Sequence, residues 1–249
     1  MSSDQGMSKR QLRRARMRRS QTRTRLLTLS GVIGVALCLA AVLIYPNIRP
    51  APEVIPITPQ TYPMVEANSM GDPNAPVSLD VWEDFQCPAC KTWSDRTKPL
   101  LIASYIETGK VHFTFHFFPF IDDGRGTESD HAANAAMCAA DQGRFWDYHD
   151  ILFVNWNGEN QGAFSDRRLN AYADSLGLDM DAFEACFAEK PYDDMIQQDM
   201  KDGQALGVSS TPTIIIDGKI VENPDGANLV PQYDHIAAAV EAALAQAGQ

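Results

Sequence analysis

The sequence has little cysteine and histidine, no excess of glycine and proline, and no overall basic charge. Its 249 residues include five cysteines and five histidines. The 16 glycines and 15 prolines are close to average usage, which excludes a collagen-like or low-complexity chain. A net charge of −11 argues against a general nucleic-acid binder, because such a protein needs a basic surface. With 45% hydrophobic residues, the chain can form one sizeable folded domain with attachments, or two small ones.

The charge is distributed unevenly. Residues 1–25 contain nine basic side chains and one acidic side chain, which gives them a net charge of +8. The net charge of the rest of the chain is therefore −19. Residues 26–45, LLTLSGVIGVALCLAAVLIY, contain no charged residue. As a helix rising about 1.5 Å per residue, they would span roughly 30 Å, the thickness of a bilayer core. The positive-inside rule therefore predicts a cytoplasmic tail (1–25), a single-pass signal anchor (26–45) and an extracytoplasmic remainder.

Two alternatives to this interpretation remain open. A cleaved secretory signal would have a shorter apolar core and a small-residue cleavage site. The basic run could instead be a disordered or nucleic-acid-binding tail. Six prolines between Pro46 and Pro63 then predict an extended, semi-rigid spacer. We expect a proline-rich linker over 46–70 and a folded domain over 71–249.

The folded part follows an α/β pattern. Two strands are predicted: Val77–Phe85 follows the turn-rich segment GDPNAP, and Val111–Phe118 alternates apolar and polar residues. A helix is predicted between them, from the C-x-x-C motif to about Thr108. Residues 127–207 are rich in alanine with apolar residues at helical spacing, which predicts an inserted subdomain of three to five helices. A strand at Thr213–Ile216, a turn at Asp217–Gly218, a short strand and a final helix follow. The predicted order is βαβ, helical insertion, ββα.

Cys87 and Cys90 form a C-x-x-C motif at the junction between the first strand and the helix. A zinc site would need two further ligands, and the histidines show no paired ligand spacing, so we expect no metal. In a βαβ context the motif indicates thioredoxin-like redox chemistry. The free N–H groups at the start of a helix favour a thiolate on Cys87. Cys87 would therefore be the attacking and leaving sulfur in disulfide exchange, and Cys90 would resolve the mixed disulfide by forming the intramolecular bond. Pro88 suits the first helical turn.

Four segments carry a resemblance to a known family: GDPNAPV, DFQCPAC, DQGRFWDYHDILF and LGVSSTPTIIIDG. From about residue 65 onward the sequence resembles the DsbA-like thiol:disulfide oxidoreductases of the thioredoxin superfamily, in particular the membrane-anchored BdbD-like group. The resemblance implies a thioredoxin fold with a helical insertion and a disulfide that is donated to the cysteines of exported proteins. It implies no organic cofactor. It also implies re-oxidation by a quinone-linked membrane partner of the DsbB or vitamin K epoxide reductase (VKOR) type.

The resemblance assigns further site residues. Pro212 corresponds to a cis-proline that faces the active-site disulfide, and Thr211 precedes it. Thr211 and Pro212 would both contact the substrate. From the residues alone, Pro212 would be an ordinary proline at the start of a strand. Asp84 matches the acid of the family's DFxCPxC pattern and could exchange protons with Cys90. The alternative for Asp84 is a solvated acid at the strand end, and no motif supports Glu83. The side chain of Ala89 cannot supply a hydrogen bond or a positive charge to the thiolate, so we expect a couple that is less oxidising than the strongest family members.

The remaining cysteines divide into a pair and a single residue. Cys138 and Cys186 lie in predicted helices of the insertion, and outside the cytoplasm a disulfide between them is favoured over two buried thiols. A disulfide between them would close a loop of about 48 residues, which would stabilise the fold by roughly 4 kcal/mol. Cys38 is an apolar residue of the predicted anchor.

The predicted function is that of a dithiol:disulfide oxidoreductase at the bacterial cell membrane. Its catalytic domain would lie outside the cytoplasm and oxidise cysteine pairs of exported proteins. A disulfide reductase or isomerase, for example in cytochrome c maturation, is one alternative. A non-redox peptide-binding or chaperone module is another.

Overall fold

The computed structural model describes residues 28, 30–38, 40, 53–122, 127–224, 226 and 230–248. The chain divides into two compact units, Met1–Ala51 and Pro52–Gln249. In the first unit, residues 30–38 are helical. Among the residues just given, no helix is both long enough and apolar enough to cross a bilayer. The predicted cytoplasmic tail and many positions of the predicted anchor at 26–45 lie outside the described residues.

The second unit is a mixed sheet with helices. In chain order its elements are β1 Ser69–Met70, β2 Val77–Glu83, α1 Pro88–Arg96, α2 Lys98–Leu101, a π-helical turn Ile102–Ile106, β3 Val111–Phe117, α3 Glu128–Ala140, α4 Phe145–Val154, α5 Asp166–Ser175, α6 Met180–Glu189, α7 Asp193–Ala205, β4 Thr213–Ile216, β5 Lys219–Ile220 and α8 Tyr233–Ala247. The strand order is β1-β3-β2-β4-β5. Strands β2 and β3 are parallel, and the other neighbours are antiparallel. The predicted order βαβ, helical insertion, ββα is confirmed.

The alternation of residues along the two central strands builds the core. In β3 the valine and the phenylalanines are buried, whereas the two histidines and the threonine between them are half-buried on the other face. In β2, Leu79 and Val81 join the same core, and Trp82 packs on the opposite face with Phe118 and Val208. Because side chains alternate along a strand, the next residue on the core face of β2 is Glu83.

The helix predicted after the C-x-x-C motif is not continuous. It ends at Arg96 and resumes as α2 at Lys98, followed by the π-helical turn. Pro99 explains the break, because it has no N–H to donate to the preceding turn and its ring clashes with that turn. The insertion consists of α3 to α7 within the described residues.

The domain begins earlier than the sequence suggested. We predicted a linker up to residue 70, but the compact unit starts at Pro52. Val54, Ile57 and Tyr62 pack against the core. The buried Asn155 side chain accepts a hydrogen bond from the Ile55 N–H at 2.8 Å and donates one to its carbonyl at 2.9 Å. A proline-rich extended segment cannot form a helix, yet it can bury side chains when a partner amide satisfies its backbone.

Candidate active site

Cys87 lies at the junction between β2 and α1. It is the residue before the helix and has an extended backbone, and Pro88 occupies the first turn. Cys87 is 6% exposed and Cys90 is fully buried, and both are free thiols. The Sγ of Cys87 lies 3.3 Å from the carbonyl oxygen of Thr211, to which the protonated thiol donates.

The two thiols differ strongly in acidity. The hydrogen bond from the Cys90 thiol, aided by the backbone N–H groups of Ala89 and Cys90, lowers the pKa of Cys87 from 9.0 to about 6, although burial opposes this. Burial raises the pKa of Cys90 well above 9.0, and its hydrogen bond to Cys87 and the nearby Glu83 raise it further. At neutral pH the pair therefore consists of an outer thiolate and an inner thiol.

Thr211 and Pro212 face this pair from the start of β4. The peptide bond between them is cis. Strand β4 runs antiparallel to β2, with Thr213 opposite Trp82, so the residues just before β4 lie beside the end of β2 and hence beside Cys87. The structure thus brings together the four residues Cys87, Cys90, Thr211 and Pro212 from distant parts of the chain.

Glu83 is a second buried carboxyl group of the site, and its charge interacts with the Cys90 thiol. Glu83 is 1% exposed, and neither of its oxygens has a hydrogen-bond partner that meets ordinary geometry within the described residues. Burial raises its pKa from 4.5 to about 8, the charge of Lys98 opposes this, and the Cys87 charge adds to it. Sequence reasoning passed over Glu83 because no motif contains it. The alternation of β2, which continues from Leu79 and Val81 to Glu83, was the available signal.

Asp84 occupies a different position. It is buried, which excludes the solvated strand-end alternative. One oxygen accepts hydrogen bonds from the Gln86 N–H at 2.8 Å and the Ser129 hydroxyl at 2.6 Å, and the other accepts from the Ile121 N–H at 3.0 Å. Burial raises its pKa to about 7, and these donors oppose the rise. These bonds shape the turn that leads to Cys87, and proton exchange with Cys90 stays a prediction for this residue.

A buried ion pair lies near Glu83, since the charge of Lys98 acts on that carboxyl group. Lys98 is 3% exposed, and its Nζ lies 2.5 Å from an Asp150 oxygen and 3.2 Å from Nδ1 of His149. The Tyr62 hydroxyl donates to the other Asp150 oxygen. Burial, followed by the charge of Lys98, lowers the pKa of His149 to about 4, so this histidine is neutral. Lys98 and Asp150 line a cavity of about 560 Å³ between residues 56–62, α1–α2 and α4.

Comparison with known proteins connects this geometry to a family. A family model described as thioredoxin matches residues 65–232. The chain belongs to the thioredoxin family, among its DsbA-like thiol:disulfide oxidoreductases. It is 30% identical over 168 residues to the probable disulfide bond formation protein D of Bacillus anthracis, covering 67% of this chain and 76% of that protein.

Two solved structures show the same fold as this thioredoxin-family protein. Oxidised BdbD of Bacillus subtilis has a TM-score of 0.62 at 23% identity, covering 78% of this chain and 99% of that chain. The alpha-DsbA1 protein of Wolbachia pipientis has a TM-score of 0.59 at 22% identity, covering 75% of this chain and 94% of that chain.

The insertion of this thioredoxin-family oxidoreductase carries a second sulfur pair. Cys138 in α3 and Cys186 in α6 form a disulfide, with Cα atoms 5.8 Å apart. In the part of the chain that the structure describes, no three histidine, cysteine or acidic side chains are grouped so as to hold a metal ion.

Proposed function

We propose that this protein oxidises pairs of cysteines in exported proteins, with Cys87 and Cys90 as the exchanging disulfide. The observation that carries the proposal is the placement of the two thiols: Cys87 lies at the N-terminus of α1 and Cys90 is fully buried one turn further along, which makes the outer thiol the more acidic of the two. The low pKa of Cys87 stabilises the reduced enzyme, and a couple whose reduced form is stabilised is an oxidising one. The relationship to a probable disulfide bond formation protein supports the same direction.

The first chemical step opens the enzyme's disulfide. A client thiolate attacks the Sγ of Cys87, the bond between Cys87 and Cys90 breaks, and its electron pair leaves on the Cys90 sulfur. That sulfur is buried and has a high pKa, so it takes up a proton. Glu83 is protonated at neutral pH because its pKa is about 8, and it can supply this proton.

The second step releases the product. The client's other thiolate attacks the client sulfur of the mixed disulfide, and Cys87 leaves as a stabilised thiolate. The client ends with a new disulfide, and the enzyme ends with two reduced cysteines. Asp84, the acid that the family pattern indicated, is the competing candidate for the proton exchange with Cys90.

Thr211 and Pro212 complete the site as the client-binding edge. Pro212 has no N–H, and Thr211 is buried beside Cys87 with its carbonyl directed at the sulfur. An extended client peptide can add to such a backbone edge, which would place its cysteine against Cys87.

The location and the electron acceptor follow from the N-terminal sequence and the chemistry. The uncharged segment 26–45 after a basic tail supports a single-pass anchor in a bacterial cell membrane, with the catalytic domain outside the cytoplasm. The reduced enzyme must pass two electrons on after each turnover. A quinone-linked membrane protein of the DsbB or VKOR type would accept them.

A redox titration of the domain Pro52–Gln249 against glutathione tests the proposal. We expect a potential between about −270 mV, the value of thioredoxin, and about −120 mV, the value of DsbA. A potential as low as that of thioredoxin would contradict oxidation and favour the reductase alternative, and repair of a scrambled disulfide protein would favour an isomerase. Clients trapped as mixed disulfides by Cys90→Ala would identify the substrates. Full function of Cys87→Ala would instead indicate a chaperone module.

A further inference from the structure

Gln86, the residue immediately before Cys87, has a fully buried amide that contacts three separate segments. Its Oε1 accepts a hydrogen bond from the Asn160 N–H at 2.6 Å. Its Nε2 donates to an Asp122 oxygen and to the Ser129 hydroxyl, both at 2.9 Å. Asp122 precedes α3, Ser129 lies in its first turn, and Asn160 lies in the loop after α4. None of these partners belongs to the sheet.

The backbone of Gln86 is held equally firmly. Its N–H donates to Asp84 at 2.8 Å, and its carbonyl accepts from the indole N–H of Trp156 at 2.7 Å. The Ser129 hydroxyl also donates to Asp84, at 2.6 Å, which closes a ring of hydrogen bonds around the turn. Every donor of Gln86 therefore has a partner, as do both of its carbonyl oxygens.

The loop after α4 adopts a backbone conformation that favours this contact. Asn160 has φ +54, in the left-handed region that side-chain-bearing residues seldom occupy. Asparagine tolerates this region better than most residues, and a residue held there in a folded protein is often found at a functional site. Its N–H is directed at the Gln86 amide, and Trp156 of the same loop binds the Gln86 carbonyl.

We propose that Gln86 is a positioning residue through which the helical insertion holds Cys87 at the N-terminus of α1. The inference rests on the proposed function and adds a role for the insertion. The Cys87 thiolate is stabilised by the Cys90 thiol and by the N–H groups of Ala89 and Cys90, all of which are directional contacts. If the turn before Cys87 were released, the sulfur would lose this alignment.

The titratable groups around this turn define what else could affect the Cys87 thiolate. Asp84 and Asp122 face Gln86 from the turn and from the connection before α3. Glu83 of β2 and Cys90 of α1 face the thiol itself. A neutral substitution of Gln86 leaves all four groups in the chain, so a change in Cys87 acidity would report on alignment.

The test measures how fast iodoacetamide alkylates Cys87 as a function of pH, with mass spectrometry identifying the cysteine. In Gln86→Leu, the Cys87 pKa should rise toward the ordinary value of about 8.5, so the alkylation rate at about pH 5 should fall at least about tenfold. The matched control is Asn155→Leu. It also removes a buried amide that hydrogen-bonds to backbone groups, but these belong to Ile55 and Ile151 rather than to the active-site turn. The control should keep the wild-type pH profile.

Trp156→Phe provides a second variant that removes a single donor from a partly exposed side chain, and it decides the question if Gln86→Leu does not fold. We expect the same upward shift of the alkylation profile, but smaller. A wild-type profile in the folded variants, or an equal shift in Asn155→Leu, would overturn the proposal. The readout requires no client, so failure of the proposed oxidase function would leave this result interpretable.

Discussion

Glu83 and Cys90 are both buried, and each is more stable there with its proton. A carboxylate without hydrogen-bond partners in the core is strongly disfavoured, which is why burial raises the pKa of Glu83 to about 8. Such a group can release a proton and regain it near neutral pH, as acid–base catalysis requires. Asp84 is equally buried and its pKa is also raised, to about 7, but three donors engage its two oxygens and hold them at the turn.

Glu83→Gln should stabilise the reduced protein at neutral pH and slow client oxidation. The pKa of Glu83 is higher in the folded than in the unfolded state, so its ionisation destabilises the fold as pH rises from 4.5 toward about 8. At pH 7 the gain should be on the order of 3 kcal/mol, and it should vanish near pH 4. Urea unfolding at both pH values measures it.

Asp84→Asn is the matched comparison for the kinetic effect. If Asp84→Asn slowed client oxidation and Glu83→Gln did not, the proton exchange would belong to Asp84, as the family pattern indicated. A Glu83→Gln protein with unchanged stability at both pH values would contradict the raised pKa of Glu83.

The elements on the second face of the sheet are joined by an ionic contact. His116 of β3 lies 3.0 Å from an Asp80 oxygen in β2 and 3.1 Å from an Asp199 oxygen in α7. Its ring stacks on Trp82 at 4.2 Å, and the indole N–H of Trp82 donates to the Asp199 carbonyl. The second Asp199 oxygen accepts the Phe117 N–H at 3.1 Å. One helix of the insertion is thereby attached to the two central strands.

We expect this attachment to weaken in alkali. Burial disfavours the imidazolium, but the two carboxylates outweigh it and raise the pKa of His116 from 6.5 to about 9. A raised pKa contributes stability that is complete below 6.5 and is lost as pH rises through about 9. His116→Gln should therefore destabilise the protein by about 3 kcal/mol at pH 6 and much less at pH 10.

Thermal unfolding of wild type and variant across this range measures the difference. His112→Gln, which removes an imidazole from the same face of β3, is the control and should destabilise the protein less at pH 6 than His116→Gln does. A constant difference between wild type and His116→Gln at all pH values would show that the imidazolium does not hold α7.

The whole domain depends on contacts between segments that are far apart along the chain. The disulfide between Cys138 and Cys186 joins α3 to α6 across 48 positions. Replacing both cysteines by alanine should lower the free energy of unfolding by about 4 kcal/mol, since the unfolded chain regains the entropy of the open loop. Urea unfolding measures this loss. An unchanged pH profile of Cys87 alkylation should accompany it, and an unaltered unfolding free energy would contradict a stabilising bridge.

The segment before β1 is a further long-range contribution. A chain that begins at Gly71 lacks Val54, Ile57 and Tyr62, which pack on the core, and also lacks β1. A fully buried apolar side chain contributes about 1.5–3 kcal/mol and these partly buried ones contribute less each, but their sum should still make this shortened chain unfold at a lower temperature than one that begins at Pro52. Calorimetry of the two chains provides the comparison, and equal unfolding temperatures would show that residues 53–70 are a spacer, as the sequence had suggested.

The sequence by itself determined the local features. Alternating residues predicted β3, the turn-rich segment before Val77 helped to predict β2, and the spacing of Cys87 and Cys90 at a strand-to-helix junction predicted the redox motif. These signals are readable because each depends on neighbours within a few positions.

Only the tertiary structure decided which buried groups meet. Glu83 and Asp84 are adjacent in the chain, yet among the described residues no well-aligned hydrogen-bond partner reaches the Glu83 oxygens, whereas those of Asp84 accept three bonds, two of them from distant segments. Lys98 meets Asp150 across 52 positions. The depth of a side chain and the identity of its distant partners depend on how helices pack on the sheet, and no local pattern encodes that packing.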